Sequence, residues 1–231
     1  MDFEAIKKDF NQHKATYILT IVTLAIWLGQ YVTFGNQATA WQNIVQVGGL
    51  YKLQMLVDPS QMWRLFTAIF IHIGWGHIMM NMLTLFFIGR QVEEIFGWRS
   101  FAVIYLLSGI FGNALSFFIT PAGGVSAGAS GAIFGIFGAV AGLGYFTGMP
   151  AFKQIGKTFL VLIVINLVYD MFDLGTINIW AHIGGAVGGL LLSAIFPPKA
   201  LKRAIPPHYR LISSIVMLVL FVAFLVIPFV Y

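Results

Sequence analysis

Along the chain, runs of apolar residues alternate with short stretches that gather nearly all the charge. A helix needs about 20 mostly apolar residues to cross the hydrocarbon of a bilayer. On that measure seven segments stand out: 17–34, 77–90, 101–119, 130–146, 158–171, 181–196 and 211–231. The second, fourth and fifth are short, so their ends are expected inside protein rather than in lipid. The first could be read as a signal peptide, but it lacks a small-residue cleavage site and six more segments follow, so it reads as an uncleaved anchor. The connection 35–72 is too long for a simple loop and is rich in Trp, Met, Leu and Phe. A segment of that kind packs on the bundle or lies in the membrane interface. The pattern predicts an all-α fold, a polytopic membrane helical bundle. No soluble domain, low-complexity tract or internal repeat interrupts it.

Composition agrees: 59% of the residues are hydrophobic and 9% charged, and mean hydropathy is +0.87. Soluble domains carry about 25% charged residues, so an ordinary cytosolic globule, a disordered chain and a coiled coil are excluded. With no cysteine, so are a disulfide framework, a thiol nucleophile and a thiolate metal site.

The net charge of +5 could point to nucleic acid, but its distribution points to topology. If the N-terminus is cytoplasmic, Lys7, Lys8, Lys14, Arg90, Arg99, Lys153, Lys157, Lys199, Lys202, Arg203 and Arg210 all fall on that side. Only Lys52 and Arg64 remain outside, in keeping with the positive-inside rule. The expected partners are therefore membrane lipid and membrane proteins, with no nucleic acid. The chain divides into a cytoplasmic N-terminal segment (1–16), a six-helix core (17–196), and a cytoplasmic loop with a seventh transmembrane helix (197–231) whose end, Tyr231, faces outward. Nothing in the pattern specifies an oligomeric state. With no transit-like or sorting segment, a bacterial plasma membrane is the expected location.

Polar groups at membrane depth are costly unless paired or useful. None of the eight acidic residues sits in the middle of a span, which argues against a transporter or channel. His77, Asn81, Ser130 and His182 do lie within spans or at their mouths. Ser130, in Gly128-Ala129-Ser130-Gly131, has space around its hydroxyl, although a membrane serine commonly bonds to its own helix. His182 starts a face continued by Gly185 and Gly189, and Ser130 starts a series of Gly131, Gly135, Gly138 and Gly142. Small-residue stripes let two helices touch backbone to backbone. Such contact would bring a hydroxyl to an imidazole, the minimum for an activated nucleophile. His77 and Asn81, four apart on one helix face, could donate to an oxyanion or make an ordinary helix contact. His72 and His77 are five apart and lack a carboxylate partner, so no metal or cofactor is expected. No membrane carboxylate is placed to orient His182, and a two-member Ser–His pair fits better than a triad.

These residues together resemble the rhomboid intramembrane serine proteases over roughly the second to sixth spans. The match consists of Trp63-Arg64, His72, His77 with Asn81, Gly89-Arg90-Gln91-Val92-Glu93, Gly97, Gly128-Ala129-Ser130-Gly131-Ala132-Ile133-Phe134-Gly135 and Ala181-His182-Ile183-Gly184-Gly185. Each piece is short, but their order and spacing are specific. The resemblance implies a rhomboid-like six-helix core plus one C-terminal transmembrane helix. It implies Ser130 as nucleophile and His182 as general base and then acid. The Ser130 N–H, His77 and Asn81 would hold the oxyanion. Phe134 would pack on the His182 ring. His72 would be a structural neighbour, with Trp63, Arg64 and Glu93 structural and the last two holding the first loop. The fifth span and the connection 172–180 would be gate and cap.

The implied activity is endopeptidase cleavage of single-pass transmembrane proteins near their outer boundary by a Ser–His dyad, in a site open to the outer face. The alternative is a non-catalytic, chaperone-like relative on the same fold, against which the intact Ser–His pair argues.

Overall fold

The structure, a computed structural model, describes residues 3–172 and 178–230. Most of the expected cap, 172–180, and the terminal Tyr231 lie outside the described residues. Among the described residues, seven apolar helical segments follow one another in the expected order. The first is Lys14–Phe34, preceded by the short helix Phe3–Gln12. The second is one helical run in three parts: Trp75–Thr84, a π-helical stretch Leu85–Gly89, and Arg90–Phe96. The others are Trp98–Ile119, Ser130–Thr147, Pro150–Phe172, Ile179–Ile195 and Pro207–Val226. Among the described residues, the first, third, fourth, fifth and seventh contain helices long and apolar enough to cross a membrane.

Two segments are much longer than hydropathy predicts. The fifth has 23 residues and begins at Pro150 rather than 158. Lys153 and Lys157 dilute its apolar signal, yet their long stems are compatible with a helix whose charged heads reach outward. The second runs past both of its expected ends, because Trp75 and the polar turn after Arg90 continue the same helix.

The fourth span is the centre of the bundle. Of its apolar window 78% is buried, against 22% for the first and fifth and 6% for the seventh. Its glycines account for this. A Cβ on Gly138 would overlap the Ala186 carbonyl, and one on Gly189 of the sixth span would overlap the Gly135 carbonyl. The fourth and sixth helices therefore touch through backbone, as the small-residue stripes predict.

The long first connection packs on the bundle. It folds into Trp41–Gln46, Lys52–Val57, Pro59–Trp63 and Arg64–Thr67. Leu50 and Tyr51 pair antiparallel with Ser126 and Val125, tying it to the segment just before Ser130. Leu50, Met55 and Leu65 are buried with Phe111, Phe117 and Phe224 of the third and seventh spans. Asn113 Nδ2 donates to the Leu65 carbonyl at 2.9 Å. Lys52 Nζ donates to the exposed end of the third span, at Phe118 O (3.1 Å) and Thr120 O (2.9 Å). Arg64 is buried, and its Nη1 donates to Val45 O at 2.6 Å and Gly49 O at 2.9 Å. The neighbouring Trp63 ring lies 4.6 Å from the guanidinium.

Glu93 does not share this task. It is 1% exposed and lies at the start of the first span. There its carboxylate accepts from Ala15 N–H (3.0 Å), Thr16 N–H (2.8 Å) and Thr16 Oγ1 (2.7 Å). This corrects the expectation that Glu93 helps hold the first loop. A carboxylate is favoured where helix N–H groups have no partner, and the first turn of Lys14–Phe34 offers them. Beside it Arg90 and Tyr17 bond to Asp9, and His13 Nε2 meets Glu94 at 2.9 Å.

Candidate active site

Ser130 is the first residue of the fourth helix and His182 lies in the first turn of the sixth. The glycine contacts between these helices bring their ends together. Gly131 lies under the Ala181 carbonyl, 3.2 Å from where its Cβ would be, and a Cβ on Gly185 would overlap the Gly131 carbonyl. As a result Ser130 Oγ is 2.6 Å from His182 Nε2. The His182 ring lies parallel to Phe134, with centroids 4.2 Å apart and planes 8° apart. At the start of the sixth helix, Asn178 Oδ1 accepts from Ala181 N–H at 3.3 Å, and its Nδ2 donates to Ser116 Oγ of the third span at 2.5 Å.

On the other side of Ser130 stands the second span. Gly128 has φ +140°, and a Cβ there would lie 2.6 Å from His77 Cε1 and 2.8 Å from its Nε2. Glycine is required both by the backbone and by the imidazole that fills the space. Ile73 N–H donates to His77 Nδ1 at 3.4 Å, which leaves Nε2, on the Gly128 side, as the protonated nitrogen of the neutral ring. Asn81 is buried, and its Nδ2 donates one proton to the His77 carbonyl at 3.0 Å. The first N–H groups of a helix lack intrahelical partners, and Ser130 N–H is the first of the fourth span.

His72 is fully buried in the connection before the second span. Its Nδ1 donates to Phe70 O at 3.2 Å, and Ala129 N–H donates to its Nε2 at 3.5 Å. Its ring centroid is 5.1 Å from that of His77. Burial, followed by the neighbouring His77, pushes the His72 imidazole down to about 3, so it stays neutral. Trp63, Arg64 and Glu93 stand apart from this cluster. Among the described residues no group of His, Cys, Asp and Glu has the arrangement to hold a metal ion.

A model of the rhomboid domain matches residues 59–199, which include every residue of this cluster. The chain belongs to the rhomboid family. It is 34% identical over 216 residues to rhomboid protease GluP of Bacillus subtilis, covering 94% of this chain and 41% of that protein. It is 37% identical over 150 residues to RHOMBOID-like protein 1 of Arabidopsis thaliana, covering 64% of this chain and 38% of that one. The chain thus spans about two fifths of the length of these relatives. With its apolar helices, this rhomboid is a multi-pass membrane protein.

One polar neighbour of the cluster escapes sequence reasoning. Asp170, two residues before the end of the fifth span, is 5% exposed, and its Oδ2 is 2.6 Å from His182 Nδ1. This corrects the expectation that no membrane carboxylate is placed to orient His182. Asp170 carries no mid-span signal, because it sits in a last helical turn. The available signal was a lone acid inside Leu167-Val168-Tyr169-Asp170-Met171-Phe172, where an unpaired carboxylate is costly.

Proposed function

We propose that this rhomboid is an intramembrane serine endopeptidase that cleaves single-pass transmembrane proteins near their outer membrane boundary. The observation that carries this reading is the 2.6 Å approach of Ser130 Oγ to His182 Nε2, between two helices whose glycines touch backbone to backbone. Ser130 Oγ attacks the scissile carbonyl carbon while its proton passes to His182 Nε2. The oxyanion is met by Ser130 N–H, His77 Nε2–H and the remaining N–H of Asn81. The C–N bond breaks as His182 returns the proton to the leaving amine. Water then attacks the acyl carbon as its proton passes to His182; the C–O bond to Ser130 breaks, the new carboxyl terminus leaves, and His182 returns the proton to Ser130 Oγ.

The topology proposed with it has the N-terminus in the cytoplasm and the C-terminus outside. The bias of Lys and Arg supports this orientation, which puts the Ser130 end of the fourth span on the outer side. A helical substrate hides its peptide bonds in internal hydrogen bonds, so a segment weakened by Gly, Pro or Ser is the preferred target.

The test is cleavage of a purified transmembrane substrate in proteoliposomes, together with fluorophosphonate labelling. Wild type should cleave and be labelled at Ser130, whereas Ser130→Ala and His182→Ala should do neither while remaining folded and membrane-inserted. A folded wild-type protein that neither cleaves nor takes the label would support the non-catalytic reading instead.

A further inference from the structure

Asp170 has an environment that needs explaining. It lies in the last described turn of the fifth span, between Tyr169 and Met171, whose side chains are 66% and 59% exposed on the outer surface of the bundle. Asp170 itself turns inward. A carboxylate at this end of a helix faces the negative pole of the helix dipole and, when buried, loses its hydration. Neither cost is offset within its own helix. Its hydrogen-bond partner is the imidazole of His182, at 2.6 Å.

That imidazole is held on three sides. Its Nε2 faces Ser130 Oγ at 2.6 Å, its Nδ1 faces Asp170 Oδ2 at 2.6 Å, and Phe134 covers one face of the ring. An ionised carboxylate only accepts hydrogen bonds. Nδ1 must therefore carry the ring proton, which leaves the Nε2 lone pair toward the serine hydroxyl. Phe134 stacking alone fixes the ring plane without choosing between the two nitrogens; Asp170 makes that choice.

We propose that Asp170 is a positioning residue that completes a Ser130–His182–Asp170 arrangement. It holds His182 in the Nδ1–H tautomer and faces the imidazolium formed when the Ser130 proton moves to Nε2. The carboxylate itself gains no proton. The same proton leaves from Nε2 to the departing amine, and the Nδ1–H···Oδ2 bond is unbroken throughout. The role rests on the protease reading of Ser130 and His182. The other role open to the pair is that of a strut pinning the fifth span to the sixth.

The experiment compares wild type, Asp170→Asn, Asp170→Glu and Ser130→Ala on a transmembrane substrate in proteoliposomes. It records kcat and KM separately, unfolding temperature in detergent, and the proton resonances of ¹⁵N-histidine-labelled protein. Asp170→Asn should lower kcat by about 10²- to 10⁴-fold, the range a general base supplies, with KM little changed. Asp170→Glu should recover part of the loss. Wild type and Ser130→Ala should both show a far-downfield Nδ1–H resonance that Asp170→Asn lacks; this measurement holds even if an Asp170 variant folds poorly. Wild-type kcat in folded Asp170→Asn, or absence of that resonance from wild type, would overturn the proposal and leave a strut. Were wild type itself inactive on the substrate, the protease reading would fall first and take this role with it.

Discussion

Gly185 lies so close to Gly131 that a Cβ on it would overlap the Gly131 carbonyl. This contact, one residue beyond Ser130 and three beyond His182, sets the separation of the two helix ends that carry the hydroxyl and the imidazole. Gly185→Ala must push the helices apart. Overpacking of this kind costs about 1–3 kcal/mol, so its unfolding temperature should fall and fluorophosphonate labelling of Ser130 should slow together. Gly29→Ala, on the first span with nothing within 4 Å, is the matched control and should leave both unchanged.

Asn81 offers one of three proposed oxyanion donors. Asn81→Ala should lower kcat by roughly 10²-fold, the low end for losing a single donor, because Ser130 N–H and His77 remain. Steady-state kinetics would check this against Ser130→Ala, which should show no turnover at all. Equal loss in the two variants would assign Asn81 a role in folding instead.

His72 links pH to stability. Its folded value of about 3 lies below the 6.5 of the free side chain. Below pH 6.5 the unfolded chain therefore binds a proton that the folded one does not. The contribution of His72 is fully present above 6.5 and is lost as pH falls toward 3, with a slope of up to ~1.4 kcal/mol per pH unit. Unfolding measured in detergent from pH 7 to 4 should show this slope, and His72→Gln should flatten it whatever its stability at pH 7.

Glu93 accepts three hydrogen bonds at the start of the first span. Hydrogen bonds to charged groups contribute about 1.5–3 kcal/mol. Glu93→Gln keeps the shape but loses the charge, and should lower stability by about 2 kcal/mol. The first span should loosen before the rest, seen as faster amide exchange at Ala15 and Thr16. Substrate turnover at low temperature should survive, since Glu93 is remote from Ser130.

Much of this molecule is local information. Whether a run of residues is apolar, where lysine and arginine gather, and how small residues space along a helix are all written in neighbouring positions. The seven helical segments, their order, and the meeting of the Gly131 and Gly185 stripes could therefore be read directly. So could the short pieces around His77, Ser130 and His182, because each keeps its spacing within one helix. Segment ends were less legible. Lys153 and Lys157 lower hydropathy without breaking a helix, and the fifth span begins eight residues before its apolar run does.

Partners across the bundle were not legible. Glu93 stands beside Glu94 and Asp170 three residues before Asp173, and nothing adjacent says what each will meet. Packing gave Glu93 the free N–H groups of the first span rather than the first loop. It also turned Asp170 inward to His182 Nδ1, where a pair of residues had been expected. Hydropathy reports what a helix does toward lipid; which helix a buried charge faces depends on close contacts between segments far apart in the chain, and only the tertiary structure decided them.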